Sequence, residues 1–143
     1  MAMAGAVAER PPHQLPAALE FTAPIPGFED ERDFTVSPLD EAGVLYALRS
    51  TRTPGLRFVL ASPGVFFPDY APDLAPADVE SLGAAAGDEL LVLVIVTVTN
   101  GLSDATANQL APIVIAAERG TAMQVVLADS GLPLRAPLLR AAS

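Results

Sequence analysis

The chain has 143 residues, enough for one domain that buries roughly two-thirds of the surface its unfolded form exposes. It contains no Cys and a single His, which excludes thiolate catalysis, thiol redox chemistry and Cys-ligated zinc and gives no reason to expect an oxidising compartment. Seventeen acidic residues against eight basic ones leave a formal charge of −9, which repels a phosphate backbone and argues against direct nucleic-acid binding.

Residues 1–17 are rich in Ala and Pro and lack the charged start and continuous apolar stretch of a secretory signal, so they read as a disordered extension. The one imidazole, His13, falls inside it. Leu19, Phe21 and Ala23 then alternate with Glu20 and Thr22 as a short half-buried strand. Pro24-Ile25-Pro26-Gly27-Phe28 ends that strand in a fixed turn directing Ile25 and Phe28 to apolar neighbours. Glu29 to Asp33 places four carboxylates around Arg32; a solvated loop is the default for such a run, with a metal or acid–base role as the alternative.

Strands are expected over 33–37, 44–49 and 57–61, joined by Pro- and Gly-containing turns. Short strands at spacings of roughly ten residues mark an antiparallel sandwich or barrel. Residues 62–74 interrupt the rhythm with three aromatics and three prolines. Their aromatics either fold back as a lid on the core or anchor a protein partner. One helix is predicted over 75–83: Pro76 sits at its first turn, Asp78 and Glu80 near the positive end of its dipole, and Gly83 at its stop, with Val79 and Leu82 on one face.

The centre of the chain is Leu90 to Val98, apolar at nearly every position and rich in Val and Ile, which predicts a core strand buried on both faces. This longest apolar run has about nine residues, against the ~20 that cross a bilayer as a helix. Asn100-Gly101 marks a turn, residues 100–109 are polar, and Ala111-Pro112 leads into a second apolar strand, Ile113 to Ala117. Glu118-Arg119-Gly120 is a tight turn into a last strand over 123–128. The expected fold is all-β, a small antiparallel barrel-like domain of about seven strands with one short helix.

His13 has nothing to orient it, no thiol exists, and no G-x-x-x-x-G-K-S/T loop occurs, so no catalytic residue, metal ligand or cofactor site is expected.

Five pieces of the chain, in order and in register between Leu19 and Leu138, resemble the flagellar assembly factor FliW family. They are Phe21 with Ile25-Pro26-Gly27-Phe28; Ser62-Pro63 with Phe66-Phe67-Pro68-Asp69-Tyr70; Asp88 with Leu90 to Thr97; Thr106-Ala107-Asn108 with Ala111-Pro112-Ile113; and Gly120 with Gln124-Val125-Val126-Leu127 and Arg135. The resemblance implies an extension over 1–17, one β domain over 18–138 and a tail over 139–143. It also implies a cytoplasmic, non-enzymatic protein, monomeric when free, with two partners. One is CsrA, a homodimeric RNA-binding translational regulator that FliW antagonises; the other is flagellin, which takes FliW up when it accumulates before export. Two departures stand out: Gln109-Leu110 replaces the order Leu-x in the family's Thr-x-Asn-Leu segment, which would exchange faces if the segment were extended, and Leu132 stands where an aromatic is common.

Alternation cannot separate surface from core in a strand apolar on both faces, so the candidate partner-binding residues are placed beside it. They are Phe67, Asp69 and Tyr70 in the aromatic segment, Thr97 and Thr99 at the strand end, Thr106, Asn108 and Gln109 in the polar segment, and Arg135. Each has a structural counterpart reading: Phe and Tyr as core, Thr and Asn as caps for unpaired backbone groups, Arg135 in an ordinary ion pair. The competing functional readings are a small β-barrel holding an apolar ligand and a hydrolase using carboxylates.

Overall fold

The computed structural model describes residues 16–85, 88–98, 101–127 and 130–138. Most of the predicted extension, with His13, and the tail over 139–143 lie outside the described residues, as does Thr99. Nine strands are present among the described residues: β1 (Ala18–Phe21), β2 (Asp33–Pro38), β3 (Leu45–Ser50), β4 (Arg57–Ala61), β5 (Leu90–Thr97), β6 (Thr106–Ala107), β7 (Ile113–Ala116), β8 (Thr121–Gln124) and β9 (Ala136–Pro137). They form one sheet in the order β4-β3-β2-β1-β8-β7-β5-β6-β9, and a further pairing of β4 with β5 closes seven of them into a ring.

Six neighbouring pairs in that ring are antiparallel, and the seventh, β1 with β8, is parallel. The expected all-β barrel is present, and its one departure from antiparallel pairing has a reason in parity. Each antiparallel neighbour reverses strand direction, so a closed ring with an odd number of strands must contain a parallel pair. The exception falls where the first and last strands of the ring meet, Glu20 opposite Thr121. The tight turn before β8 has both Arg119 and Gly120 donating their N–H groups to the Ala116 carbonyl, with Gly120 at φ +69, a region most side chains avoid.

Side chains fill the barrel. Phe21, Phe34, Tyr46, Leu48, Leu60, Ile113 and Ile115 are essentially fully buried in its interior cluster, each contributing about 1.5–3 kcal/mol by burial. Phe28 packs edge-on against Phe58 with ring centroids 5.2 Å apart, and Ile25 is buried, as the turn at 24–28 predicted. An apolar ligand inside the barrel has no support in this packing.

Strand β5 shows why its sequence is apolar at every step. Leu91, Leu93 and Ile95 point into the barrel, whereas Leu90 and Val92 join one outer cluster and Val94 and Val96 another. The cover over these outer residues comes from the connections. A one-turn helix, α1 (Pro63–Phe66), begins the aromatic segment whose Phe66, Phe67 and Tyr70 pack over Val94 and Val96. A second, α2 (Pro76–Ser81), starts with Pro at its first turn and is followed by Leu82 and Gly83; Leu82 and Val79 pack with Leu90, Val92 and Val114. Two short α-helices therefore stand among the described residues where one was expected, α1 being too short to leave a periodic signal. The last barrel strand is Thr121–Gln124 instead of extending over 123–128: the Val125 and Leu127 N–H groups still donate in register to the Pro112 and Leu110 carbonyls, but Pro112 has no N–H to return and the Leu110 N–H goes to the Pro133 carbonyl.

Candidate partner-binding face

The polar segment after β5 is built as a bulge. Strands β6 and β7 both run antiparallel to β5, yet three steps of β5, Leu93 to Val96, face six steps of the opposing segment, Ala107 to Ile113. The Asn108 N–H still donates to the Ile95 carbonyl, and the surplus residues beyond it, 109–112, are pushed out of the ladder, a device that re-aims side chains at barrel rims. Every turn of this bulge is tied down. Asn108 Oδ1 accepts the Ala111 N–H at 2.9 Å, the Gln109 and Leu110 N–H groups both donate to the Pro133 carbonyl, and Gln124 Nε2 donates to the Ala111 carbonyl at 3.0 Å. The Leu110 carbonyl accepts from the Leu127 N–H at 2.8 Å.

Beyond the bulge β6 carries β9 on its far side, extending the sheet into a small flap with β5. Thr97, Thr106 and Pro137 are aligned in one row of the ladder, and Val96, Ala107 and Ala136 in the next. Successive rows point to opposite faces, so the flap has one polar and one apolar side. Thr97 and Pro137 are exposed and Thr106 half-exposed, with exposed Arg135 two residues before Pro137. On the reverse, Val96, Ala107 and Ala136 are buried beneath Phe67 and Tyr70.

Six of the nine predicted residues thus separate into two groups on either side of the flap, while Asn108 and Gln109 belong to the bulge. Thr97, Thr106 and Arg135 share the polar side. Phe67, Asp69 and Tyr70 belong to the segment that covers the other side, and Thr99 is outside the described residues. Phe67 is only 7 % exposed, a core side chain rather than a protruding anchor, because the apolar row of the flap needs a cover. Asn108 spends its carboxamide oxygen on the bulge, the capping role weighed from the sequence. Gln109 is 8 % exposed while Leu110 is half-exposed, so the exchange of these two residues does put the polar one inward, through a bend instead of an extended strand.

Tyr70 links these parts. Its hydroxyl donates to the Gln109 carbonyl at 2.7 Å, and its ring touches both outer clusters. Burial raises its pKa above the ordinary tyrosine value, which keeps the phenol protonated and donating. Two open clefts flank it. A small one of about 240 Å³ lies between Phe67, Tyr70, Gln109 and Leu132. A larger one of about 640 Å³ is bordered by Tyr70, Leu132 and Val126 together with Asp69, Asp73 and Asp78. Sequence reasoning missed Asp73, Asp78 and Val126. Val126 was hidden inside a presumed continuous strand; the readable signal was alternation, since Val125 and Leu127 are buried and Val126 between them is 60 % exposed.

Elsewhere the acidic run contains one buried carboxylate. Glu31 is 8 % exposed and accepts hydrogen bonds from the Ser50 and Thr53 hydroxyls, pinning the turn between β3 and β4; the other four residues of the run are exposed. Those two bonds, opposed by burial and aided by Arg52, hold its pKa below the usual glutamate value. No helix among the described residues is long and apolar enough to cross a membrane.

Comparison with known proteins bears on the whole of this arrangement. The sequence model of the FliW protein family matches residues 8–138. The chain belongs to the FliW family. Among curated relatives, the flagellar assembly factor FliW of Bacillus licheniformis is 37% identical over 114 residues, covering 80% of each chain. That of Heliobacterium modesticaldum is 40% identical over 78% of this chain and 72% of the relative, and that of Bacillus subtilis 36% identical over 82% of each. A crystal structure of the flagellar assembly factor FliW superposes with a TM-score of 0.80 at 33% identity, covering 87% of this chain and 86% of that one. The family model's match, residues 8–138, takes in all nine strands and the bulge between β6 and β7.

Proposed function

We propose that this chain is a flagellar assembly factor that works by binding proteins in the cytoplasm and catalyses no reaction. Free and monomeric, it binds CsrA and relieves the block CsrA imposes on flagellin translation. When unexported flagellin accumulates, flagellin takes the factor up and CsrA represses again. The observation that carries this reading is family membership over nearly the whole chain, at 33% to 40% identity to proteins named for flagellar assembly. The charge of −9 supports the CsrA half, since an acidic protein docked beside a basic RNA-binding surface disfavours RNA there by repulsion. The exposed polar row of the flap and the acidic cleft beside Tyr70 are the surfaces proposed for these contacts.

Co-purification tests it. Tagged protein is expected to retain recombinant CsrA and, separately, recombinant flagellin, and its complex with CsrA is expected to bind flagellin leader RNA more weakly than CsrA alone. Added salt should weaken the CsrA complex. Retention of neither protein would overturn the proposal, and unchanged RNA affinity would overturn its regulatory half.

A further inference from the structure

We propose that the cleft between Tyr70, Val126 and Leu132 is a docking groove for one turn or two of a cationic amphipathic helix, an aliphatic side chain entering the groove and an Arg or Lys meeting its acidic rim. The inference rests on the partner-binding reading above and specifies the chemistry of what is bound.

Three observations combine. The groove has an opening of about 640 Å³, within the roughly 300–1,000 Å³ of sites that enclose a ligand. Its apolar lining includes Val126, which is 60 % exposed although the side chains on either side of it are buried. Val125 and Leu127 are held inward by the backbone bonds of their N–H groups to the Pro112 and Leu110 carbonyls, so alternation fixes Val126 outward. An aliphatic side chain left in water by a rigid framework gains most when a partner covers it.

The rim supplies charge of one sign. Asp69, Asp73 and Asp78 border the groove, and none of its described lining residues is basic. No three carboxylate or imidazole groups among the described residues gather closely enough to hold one metal ion, so these carboxylates form a spread rim instead of a chelate. A spread negative rim around an apolar floor matches a helix that alternates aliphatic and cationic residues at three- and four-residue spacing. It rejects phosphate-bearing ligands and acidic peptides.

The wall is rigid where it counts. Tyr70 is locked by its bond to the Gln109 carbonyl, and Asp78 sits in the first turn of α2. The groove is therefore formed before a partner arrives, which lowers the ordering cost of binding.

The test uses the full chain and a fluorescently labelled synthetic helix with Leu at every third or fourth position and Arg between, followed by anisotropy. The wild-type protein is expected to bind it, more weakly as salt is raised. The double substitution Asp73→Asn with Asp78→Asn should weaken binding roughly three- to tenfold, and Val126→Asp should abolish it. Circular dichroism and urea unfolding of each variant confirm that these half-exposed and exposed substitutions leave the fold intact. No binding by wild type, equal binding by the Asn double variant, or equal binding of a control helix with Glu for every Arg would each overturn the groove. Retention of CsrA and flagellin by the same variants separates the two proposals: full retention with lost helix binding removes the groove from partner recognition, while helix binding without retention of either protein leaves the groove standing and overturns the assigned partners.

Discussion

The Tyr70 hydroxyl hydrogen-bonds the Gln109 main-chain carbonyl across 2.7 Å, and this one bond joins the aromatic cover to the bulge between β6 and β7. The carbonyl belongs to a residue forced out of the β5 ladder, so the strand pairing cannot satisfy it. Tyr70→Phe removes the donor while keeping the ring in both outer clusters. The variant is expected to lose about 1–2 kcal/mol of stability, read as a lower urea midpoint with unchanged slope. An unchanged midpoint would mean that the bulge does not depend on this bond.

Glu31 sets a pH dependence. Its folded pKa lies below the ordinary value because the Ser50 and Thr53 hydroxyls bind the carboxylate. Between the two pKa values the unfolded chain binds more protons than the folded one, so stability rises with pH there. The contribution is present above about pH 4.5, the unfolded value, and is lost as pH falls through the folded one. Glu31→Gln should be less stable than wild type at pH 7, and the two urea midpoints should converge as the solution is acidified below the unfolded pKa.

Thr22 marks a local conflict in the fold. Its Oγ1 is buried without a hydrogen-bond partner, although its N–H bonds the Ala122 carbonyl and its own carbonyl accepts from Arg32. Thr22→Val keeps the branched shape and removes the unsatisfied hydroxyl. The substitution is expected to stabilise the protein by about 1 kcal/mol; a lower thermal midpoint would show that the hydroxyl has a partner in solution.

Six of the seven strands of the ring were legible because each carries an apolar pattern of its own, four residues or longer; β8 (Thr121–Gln124) has none and was expected two residues late, over 123–128. Strands β6 and β9 have two residues each and carry no period; only the register of β5 brings Thr106 opposite Thr97 and Pro137 opposite Thr106. The double burial of β5 was readable from Leu90 to Val96, yet nothing local said that Phe67 and Tyr70 would supply the cover. Composition could place aromatics near a core, but not decide which of Phe66, Phe67 and Tyr70 turns in. Parity is the instructive case: an odd count of seven strands already required one parallel pair if the ring closed. The acidic groove was illegible for a different reason, since Asp69, Asp78 and Val126 come from three separate segments and meet only in the folded chain.

Leu132 borders both clefts beside Tyr70, so its size sets how far the two communicate. Leu132→Phe adds volume at their shared wall without introducing charge. It is expected to reduce binding of an amphipathic cationic helix while leaving the unfolding free energy from urea titration within about 1 kcal/mol of wild type. Undiminished binding would place the contact away from this wall.

The polar side of the flap is open to a direct test, because Thr97 is exposed and its neighbour across the ladder, Thr106, is half-exposed. Neither hydroxyl is needed to fill the apolar row beneath them, so Thr97→Arg leaves Val96, Ala107 and Ala136 packed as they are. The added Arg would stand on the same side as Arg135 and add to the positive charge there in an otherwise acidic protein. If this side meets a basic partner, Thr97→Arg should weaken CsrA retention at least several-fold through like-charge repulsion and steric bulk, chiefly by faster dissociation. Arg135→Ala serves as the opposite change and should leave CsrA binding equal or tighter, while lowering flagellin affinity only if flagellin uses the same side. Unchanged affinity for both partners in both variants, with folded protein by circular dichroism, would remove the flap from recognition and leave the cleft beside Tyr70 as the surface to pursue.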